Sequence, residues 1–197
     1  HGVSSTKFAI KCEEAGVDAI VAEGFEAGGH NGRDETTTFC LIPNVKNHIS
    51  KPLIAAGGIA LGSQMKAAMI LGADGVQIGS RFAATVEASA HNNWKNKIVD
   101  LNEGDTHLTL KELAPVRMVK NKFFHDLENL YETGRNAEAL KETLGRARAK
   151  KGMFEGDLEE GELEIGQVSA LIHEILPVEK VFENLLREFR ASSVVDL

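Results

Sequence analysis

The sequence has few or none of the features that mark membrane, secreted or nucleic-acid-binding proteins. No apolar run approaches the length of a membrane-spanning helix, and no signal peptide is visible. Acidic residues outnumber basic ones, 29 to 22, which argues against nucleic acid or an anionic membrane as partner. Cysteine occurs only at Cys12 and Cys40, without metal-ligand spacing. We therefore expect a cytoplasmic protein with two buried, reduced thiols.

The composition is that of a globular protein of single-domain size. Of the 197 residues, 43% are hydrophobic and 26% are charged. The sequence begins at His1-Gly-Val3, which resembles the tail of a strand, with Ser4, Ser5 or Thr6 capping a following helix. This start in the middle of a pattern predicts that the chain is the C-terminal part of a longer protein.

The first 80 residues alternate between short apolar runs and helical segments. Strands are predicted at residues 18–22, 53–56 and 75–78, and helices at 6–16, 38–49 and 62–71, with the second helix starting near Pro43. Residues 23–32 are too rich in glycine to predict anything regular. Short links between alternating strands and helices are typical of right-handed βαβ units in a parallel sheet.

The second half of the sequence is predicted to be mainly helical. One extended segment is expected at residues 106–110, and a polar break is expected at 134–136. The predicted helices cover residues 86–101, 116–133, 137–151, 165–176 and 178–189.

Two glycine-containing strand exits predict a binding site for a phosphate group. Gly57 and Gly58 follow one predicted strand, and Gly79 and Ser80 follow the next. Glycine lets a backbone approach an anion closely, and the helix behind each exit offers unpaired N–H groups and a favourable dipole. The alternative is that these residues only form tight turns.

The segment Glu23-Gly-Phe-Glu-Ala-Gly-Gly-His-Asn-Gly32 predicts an exposed histidine at the end of a strand. Glycine and alanine around His30 leave the imidazole accessible, and histidine exchanges a proton near neutral pH. His30 is therefore the candidate general acid or base, although a structural loop histidine is the alternative.

Three motifs resemble, in order and spacing, the nitronate monooxygenase family, formerly called 2-nitropropane dioxygenases, which includes the similar type II enoyl-acyl-carrier-protein reductases. They are the His30 segment, Ile54-Ala-Ala-Gly-Gly-Ile-Ala60 and Gly72-Ala-Asp-Gly-Val-Gln-Ile-Gly-Ser-Arg-Phe82. The resemblance continues through Pro115-Val-Arg-Met-Val-Lys-Asn-Lys122 and Gly166-Gln167, so it covers most of the chain.

The resemblance implies an α/β fold, the C-terminal strands of an FMN-binding (β/α)₈ TIM barrel with an added helical segment. Residues 1–110 are expected to form the barrel part and residues 111–197 the helical segment. Gly57, Gly58, Gly79 and Ser80 are expected to hold the FMN phosphate, and His30 to lie by the flavin ring and the substrate. The resemblance further places three residues near the cofactor: Glu23, Gly29 and Gln167.

The resemblance leaves the substrate open between two enzymes. A nitronate monooxygenase oxidises alkyl nitronates with O₂, whereas the reductase alternative uses NAD(P)H and an enoyl thioester carried by acyl carrier protein. Reductases of the family typically have Lys-Leu-Thr-Thr-Met-Thr after the histidine motif, and Asp34 and Glu35 depart from that pattern toward the monooxygenases. Less favoured are a barrel of the inosine-monophosphate dehydrogenase type, an inactive fragment, and a tail that binds partners. A homodimer is a further expectation.

Overall fold

A computed structural model describes residues 1–133 and 137–193 of the chain. The described residues form seven strands, β1 (Gly2–Val3), β2 (Ile20–Glu23), β3 (Gly29–His30), β4 (Leu53–Ala56), β5 (Gly75–Gln77), β6 (Thr106–Thr109) and β7 (Val116–Val119). They also form eight α-helices, α1 (Thr6–Glu14), α2 (Thr38–Lys46), α3 (Gly62–Ile70), α4 (Ser80–Ala83), α5 (Asn92–Val99), α6 (Lys122–Glu132), α7 (Ala137–Leu144) and α8 (Val178–Ala191). Within these ranges, no helix is long and apolar enough to cross a membrane.

Four strands form a parallel sheet in the order β1-β2-β4-β5. Helices α1, α2 and α3 connect consecutive strands of this sheet, as the alternating pattern predicts. Strand β4 reads Leu-Ile-Ala-Ala because both faces of a parallel strand are covered. Leu53 and Ala55 pack with Ile20, Leu41 and Val45 in one buried cluster between the sheet and its helices.

The starts of α1 and α2 are set by side chains that accept hydrogen bonds from their first N–H groups. The Ser5 hydroxyl accepts from the Phe8 N–H at 3.4 Å, which confirms a cap among residues 4–6. Helix α2 begins at Thr38, so the predicted start near Pro43 is wrong. Both Glu26 carboxylate oxygens accept from the Thr38 N–H, at 3.1 and 2.9 Å, and this long-range cap fixes the start.

A second, antiparallel sheet joins the two halves of the chain in the order β3-β7-β6. Gly29 pairs with Arg117 and His30 with Val116, so the glycine-rich loop contains a short strand, contrary to the expectation that it has nothing regular. Residues 116–119 form buried strand β7, and the helix predicted there starts only at Lys122, after the Asn121 cap. The expected extended segment at residues 106–110 is confirmed as β6.

Other helices are shorter than the sequence predicts. Helix α5 starts at Asn92 because the His91 ring accepts from the Asn93 N–H at 3.1 Å. Helix α7 ends before Gly145, whose φ is +62°. The helix predicted at residues 165–176 is only a short 3₁₀ helix, Gln167–Leu171. The predicted break at 134–136 lies outside the described residues.

The C-terminal helix α8 packs against α3, which covers the parallel sheet. The Gly62 N–H donates to Glu188 Oε2 at 2.8 Å, and a Cβ at Gly62 would lie 2.1 Å from the Leu185 carbonyl oxygen. Val181 and Leu185 are buried, whereas Phe182 is 53% exposed. The predicted packing of this amphipathic helix is therefore confirmed for its inner face.

The predicted division of the chain into a barrel part and a helical segment at residue 110 stays a prediction. Residue 110 lies within the β6–β7 hairpin.

Candidate functional site

A cavity of about 280 Å³ lies at the carboxyl ends of β2, β4 and β5. Such ends are where parallel α/β sheets bind ligands. Most of the residues predicted to surround the cofactor meet here, namely Glu23, Gly57, Gly58, Gly79 and Ser80, whereas Gly29 and Gln167 do not line the cavity. We call this cavity the cup.

Backbone N–H groups of the cup are free to bind an anion. Within the described residues, the N–H groups of Gly58, Gly79 and Ser80 make no hydrogen bond to the protein. The backbone of Gly57 is fixed by the fold, because its φ is +84° and an added Cβ would lie 2.8 Å from the Gly24 carbonyl oxygen. Gly79 differs, since an added Cβ would meet nothing within 4 Å and its φ is −95°. The fold does not require glycine at position 79, but close approach of a ligand would.

The start of the helix behind Gly57 and Gly58 offers fewer free N–H groups to an anion than the sequence predicts. Gln64 Oε1 accepts from the N–H groups of Ala60 and Leu61 at 2.8 and 3.0 Å. Glu188 takes the next N–H, that of Gly62. Fewer N–H groups are therefore free at the start of α3 than the sequence predicts. The loop N–H groups remain as the donors of the cup.

The side chains around the cup are acidic rather than basic. Glu23, Glu26 and Glu164 line it, and none of its described lining residues is Lys, Arg or His. Burial raises the pKa of both Glu23 and Glu164 above the ordinary value. The raised pKa lessens the negative charge that Glu23 and Glu164 carry at a given pH, compared with exposed carboxylates, and so lessens their repulsion of an anion.

Glu162, beside the acidic lining, makes stability depend on pH. Burial, reinforced by the negative charge of Glu164, raises its pKa to about 7, against an ordinary value of 4.5. The folded state therefore keeps a proton that the unfolded chain releases, and stability falls as pH rises from 4.5 through 7. The unfolding free energy of the unsubstituted protein should therefore fall between pH 5 and pH 8. In Glu162→Gln we expect this fall to be smaller by about 1–3 kcal/mol.

Urea unfolding at the two pH values measures this difference for Glu162. Glu159→Gln is the matched control, because Glu159 is an exposed carboxylate of the same segment. An identical pH dependence in Glu162→Gln and in the unsubstituted protein would contradict the prediction.

His30 lies next to the cup but does not line it. The imidazole is exposed and lines a second cavity of about 430 Å³, together with Cys12 and Asn31. Glu23 lines both cavities and so forms the wall between them. A small molecule beside His30 is therefore separated from the cup by one side chain.

The His30 segment is held by residues from the second half of the chain that the sequence analysis missed. The Arg117 guanidinium donates from Nε and Nη2 to the Phe25 carbonyl oxygen, both at 3.2 Å, and stacks 4.5 Å from the centre of the Phe25 ring. The Asn31 N–H donates to the Pro115 carbonyl oxygen at 2.8 Å. The sequence signal for this contact was the arginine within the apolar run 116–119, because a buried arginine needs specific hydrogen-bond partners.

The segment 164–168 closes one side of the cup. The Gly166 N–H donates to Ser80 Oγ at 3.0 Å, and the Gln167 N–H donates to the Glu26 carbonyl oxygen at 2.9 Å. The Gln167 residue is exposed and lines a separate cavity with Asn102 and Thr106. The structure therefore places the backbone of Gln167 beside the cup and its side chain in a different cavity, and the role of Gln167 near the cofactor stays a prediction.

Neither cysteine takes part in a disulfide, and both thiols are free. Cys12 is half-buried, but Cys40 is exposed, so the expectation of two buried thiols is wrong for Cys40. Over residues 1–133 and 137–193, no group of three or more His, Cys, Asp or Glu residues is arranged to hold a metal ion.

The family model described as nitronate monooxygenase matches residues 1–188. The chain belongs to the nitronate monooxygenase family. Two curated relatives, from Bacillus subtilis and Staphylococcus saprophyticus, are named "Probable nitronate monooxygenase" and are 35% and 32% identical over 94% of this chain. The chain spans about half the length of these relatives, 55% and 54%.

Solved structures similar to this nitronate monooxygenase family member include a FabK and a nitroalkane oxidase. FabK from Thermotoga maritima is 41% identical, with a TM-score of 0.87, over 96% of this chain and 60% of FabK. A nitroalkane oxidase from Streptomyces ansochromogenes is 30% identical, with a TM-score of 0.77, over 96% of this chain and 56% of that one. Both are TIM-barrel enzymes, so the predicted fold class, a partial (β/α)₈ barrel, is confirmed.

Proposed function

We propose that the protein is an FMN-dependent nitronate monooxygenase, which converts alkyl nitronates and O₂ into a carbonyl compound and nitrite. The observation that carries the proposal is the open face of Gly79 beside the free N–H groups of Gly58 and Ser80. The fold does not explain this glycine, whereas a bound phosphate would.

The donor set of the cup suits the phosphate of FMN. The N–H groups of Gly58, Gly79 and Ser80 can donate to phosphate oxygens, as in other phosphate sites at strand ends. Burial raises the pKa of Glu23 and Glu164, which lessens the repulsion between these groups and the anion. When bound, FMN supplies the electron transfer that no side chain of this chain can carry.

His30 is proposed to bind the nitro compound or nitronate and to hold the proton that the two forms exchange. Its exposed ring lies across Glu23 from the cup, within a cavity large enough for a small organic anion. A protonated imidazole attracts the negatively charged nitronate, and a neutral imidazole can accept the proton on the carbon next to the nitro group.

A reductase remains the second candidate because FabK, an enoyl-acyl-carrier-protein reductase, has a similar structure. This candidate requires NAD(P)H, an enoyl thioester and acyl carrier protein. Asp34 and Glu35 and the names of the curated relatives favour the monooxygenase. For either enzyme we propose action in the cytoplasm, and we propose a homodimer.

Flavin content and oxygen consumption of the intact protein test the proposal. We expect purified protein to be yellow, to release FMN on denaturation, and to consume O₂ with propionate 3-nitronate in the absence of NADH. NADH oxidation stimulated by crotonyl thioester, without nitronate-dependent O₂ uptake, would replace the monooxygenase with the reductase. Protein that neither contains nor binds FMN would exclude both.

A further inference from the structure

Glu164 and His30 are neighbours on one edge of strand β7. His30 pairs with Val116, and Glu164 forms a bridge with Met118. Glu164 and His30 therefore pair with positions two residues apart on β7, so their backbones lie roughly 7 Å apart along one edge of that strand.

Gly29 provides the space in which the Glu164 side chain approaches this edge. A Cβ added to Gly29 would lie 2.6 Å from Glu164 Oε2, so the carboxylate occupies the position that another residue's side chain would fill. Gly29 also has a φ of +76°, which other residues rarely adopt. The glycine directly before His30 thus admits the Glu164 carboxylate beside the backbone of the His30 strand.

We propose that Glu164 is a positioning residue for His30, and that its carboxylate reaches over Gly29 to orient the imidazole. The role rests on the proposed function of His30 and adds a partner to it. Glu164 also lines the cup, so one carboxylate contacts the cofactor cavity while acting on the imidazole beside it. A carboxylate that orients a neighbouring imidazole is a common arrangement in enzymes that move protons.

The charges around this pair determine when Glu164 can act. Burial raises the pKa of Glu164, while the nearby His30 lowers it. Glu162 faces the same carboxyl from its own segment, with Arg148 close to Glu162. Glu23 shares the cavity of His30. A positive charge on His30 therefore favours the ionised form of Glu164.

Titration of the Glu164 carboxyl tests this pairing without flavin or substrate. Protein labelled with ¹³C in the glutamate side chains gives one carboxyl signal per residue, and the signal missing from Glu164→Gln identifies Glu164. We expect His30→Gln to move the Glu164 titration to a pH higher by about 0.5 or more, as expected for unit charges roughly 7 Å apart. His30 is exposed, so its replacement leaves the fold intact.

His173→Gln is the matched control, because it removes an exposed imidazole that lines a different cavity, beside α8. It should leave the Glu164 titration unchanged. An unchanged titration in His30→Gln, or an equal change in His173→Gln, would overturn the pairing.

Kinetics separate positioning from a purely structural role. We expect Glu164→Gln to lower kcat for propionate 3-nitronate about 10-fold and to change the pH dependence of kcat. KM and flavin content should stay unchanged. Glu164→Asp should restore part of kcat. If the Glu164 titration depends on His30 in a protein that has neither flavin nor turnover, the proposed function is refuted and the pairing of Glu164 with His30 stands. Normal kcat and pH dependence in Glu164→Gln would refute the positioning role and keep the proposed function.

Discussion

Gly79→Val is expected to abolish FMN binding while leaving the fold and its stability unchanged. A Cβ at position 79 meets nothing of the protein within 4 Å and points into open space at the cup. The valine side chain would occupy the space that a phosphate needs to reach the N–H groups of Gly79 and Ser80. Losing these charge-assisted hydrogen bonds should weaken FMN binding at least ~100-fold, or about 3 kcal/mol.

Titration of flavin-free Gly79→Val with FMN, followed by flavin fluorescence, measures this loss, and thermal unfolding of the same sample reports the fold. Gly79→Ala should give a smaller loss, because it adds only a methyl group. Gly2→Val is the matched control, since its added Cβ is equally unobstructed but Gly2 does not line the cup. FMN affinity retained in Gly79→Val would mean that the phosphate is bound elsewhere.

His30→Gln is expected to reduce turnover of propionate 3-nitronate by about 10²–10⁴-fold, the usual contribution of a general acid or base. Flavin content should not change, because His30 lines the neighbouring cavity and not the cup. Steady-state O₂ uptake and the visible spectrum of the same preparation measure the two quantities.

His48→Gln is a suitable control for His30, because His48 is an exposed histidine whose ring contacts only the Asn44 carbonyl oxygen within the described residues. Unchanged turnover in His30→Gln would remove His30 from the mechanism. Loss of flavin together with turnover would instead show that the imidazole supports the cofactor.

The parallel sheet and the cup could be predicted because their signals are local in sequence. Strands β4 and β5 are short apolar runs that end at Gly57 and near Gly79, and the glycines mark the strand exits directly. Each exit needs only its own few residues to be recognised.

The missed features depend on contacts between residues far apart in sequence. Strand β7 has buried Arg117, whose partner, the Phe25 carbonyl oxygen, is 92 residues away. Glu188 takes the N–H of Gly62 across 126 residues, which left α3 with fewer free donors than predicted. Periodicity cannot reveal such partners, because it reports only the face that a residue occupies on its own helix or strand.

The pairing of β3 with β7 has a consequence for the order in which the protein folds. The His30 strand needs residues 115–117, some 85 positions later, to complete its backbone pairing, and the cup needs residues 164–168 to close one of its sides. Contacts between distant residues carry a larger loop-closure entropy and form later in folding, and domains begin to fold while synthesis proceeds from the N-terminus. The nascent chain can therefore complete neither the His30 strand nor the cup until the second half of the chain has been synthesised.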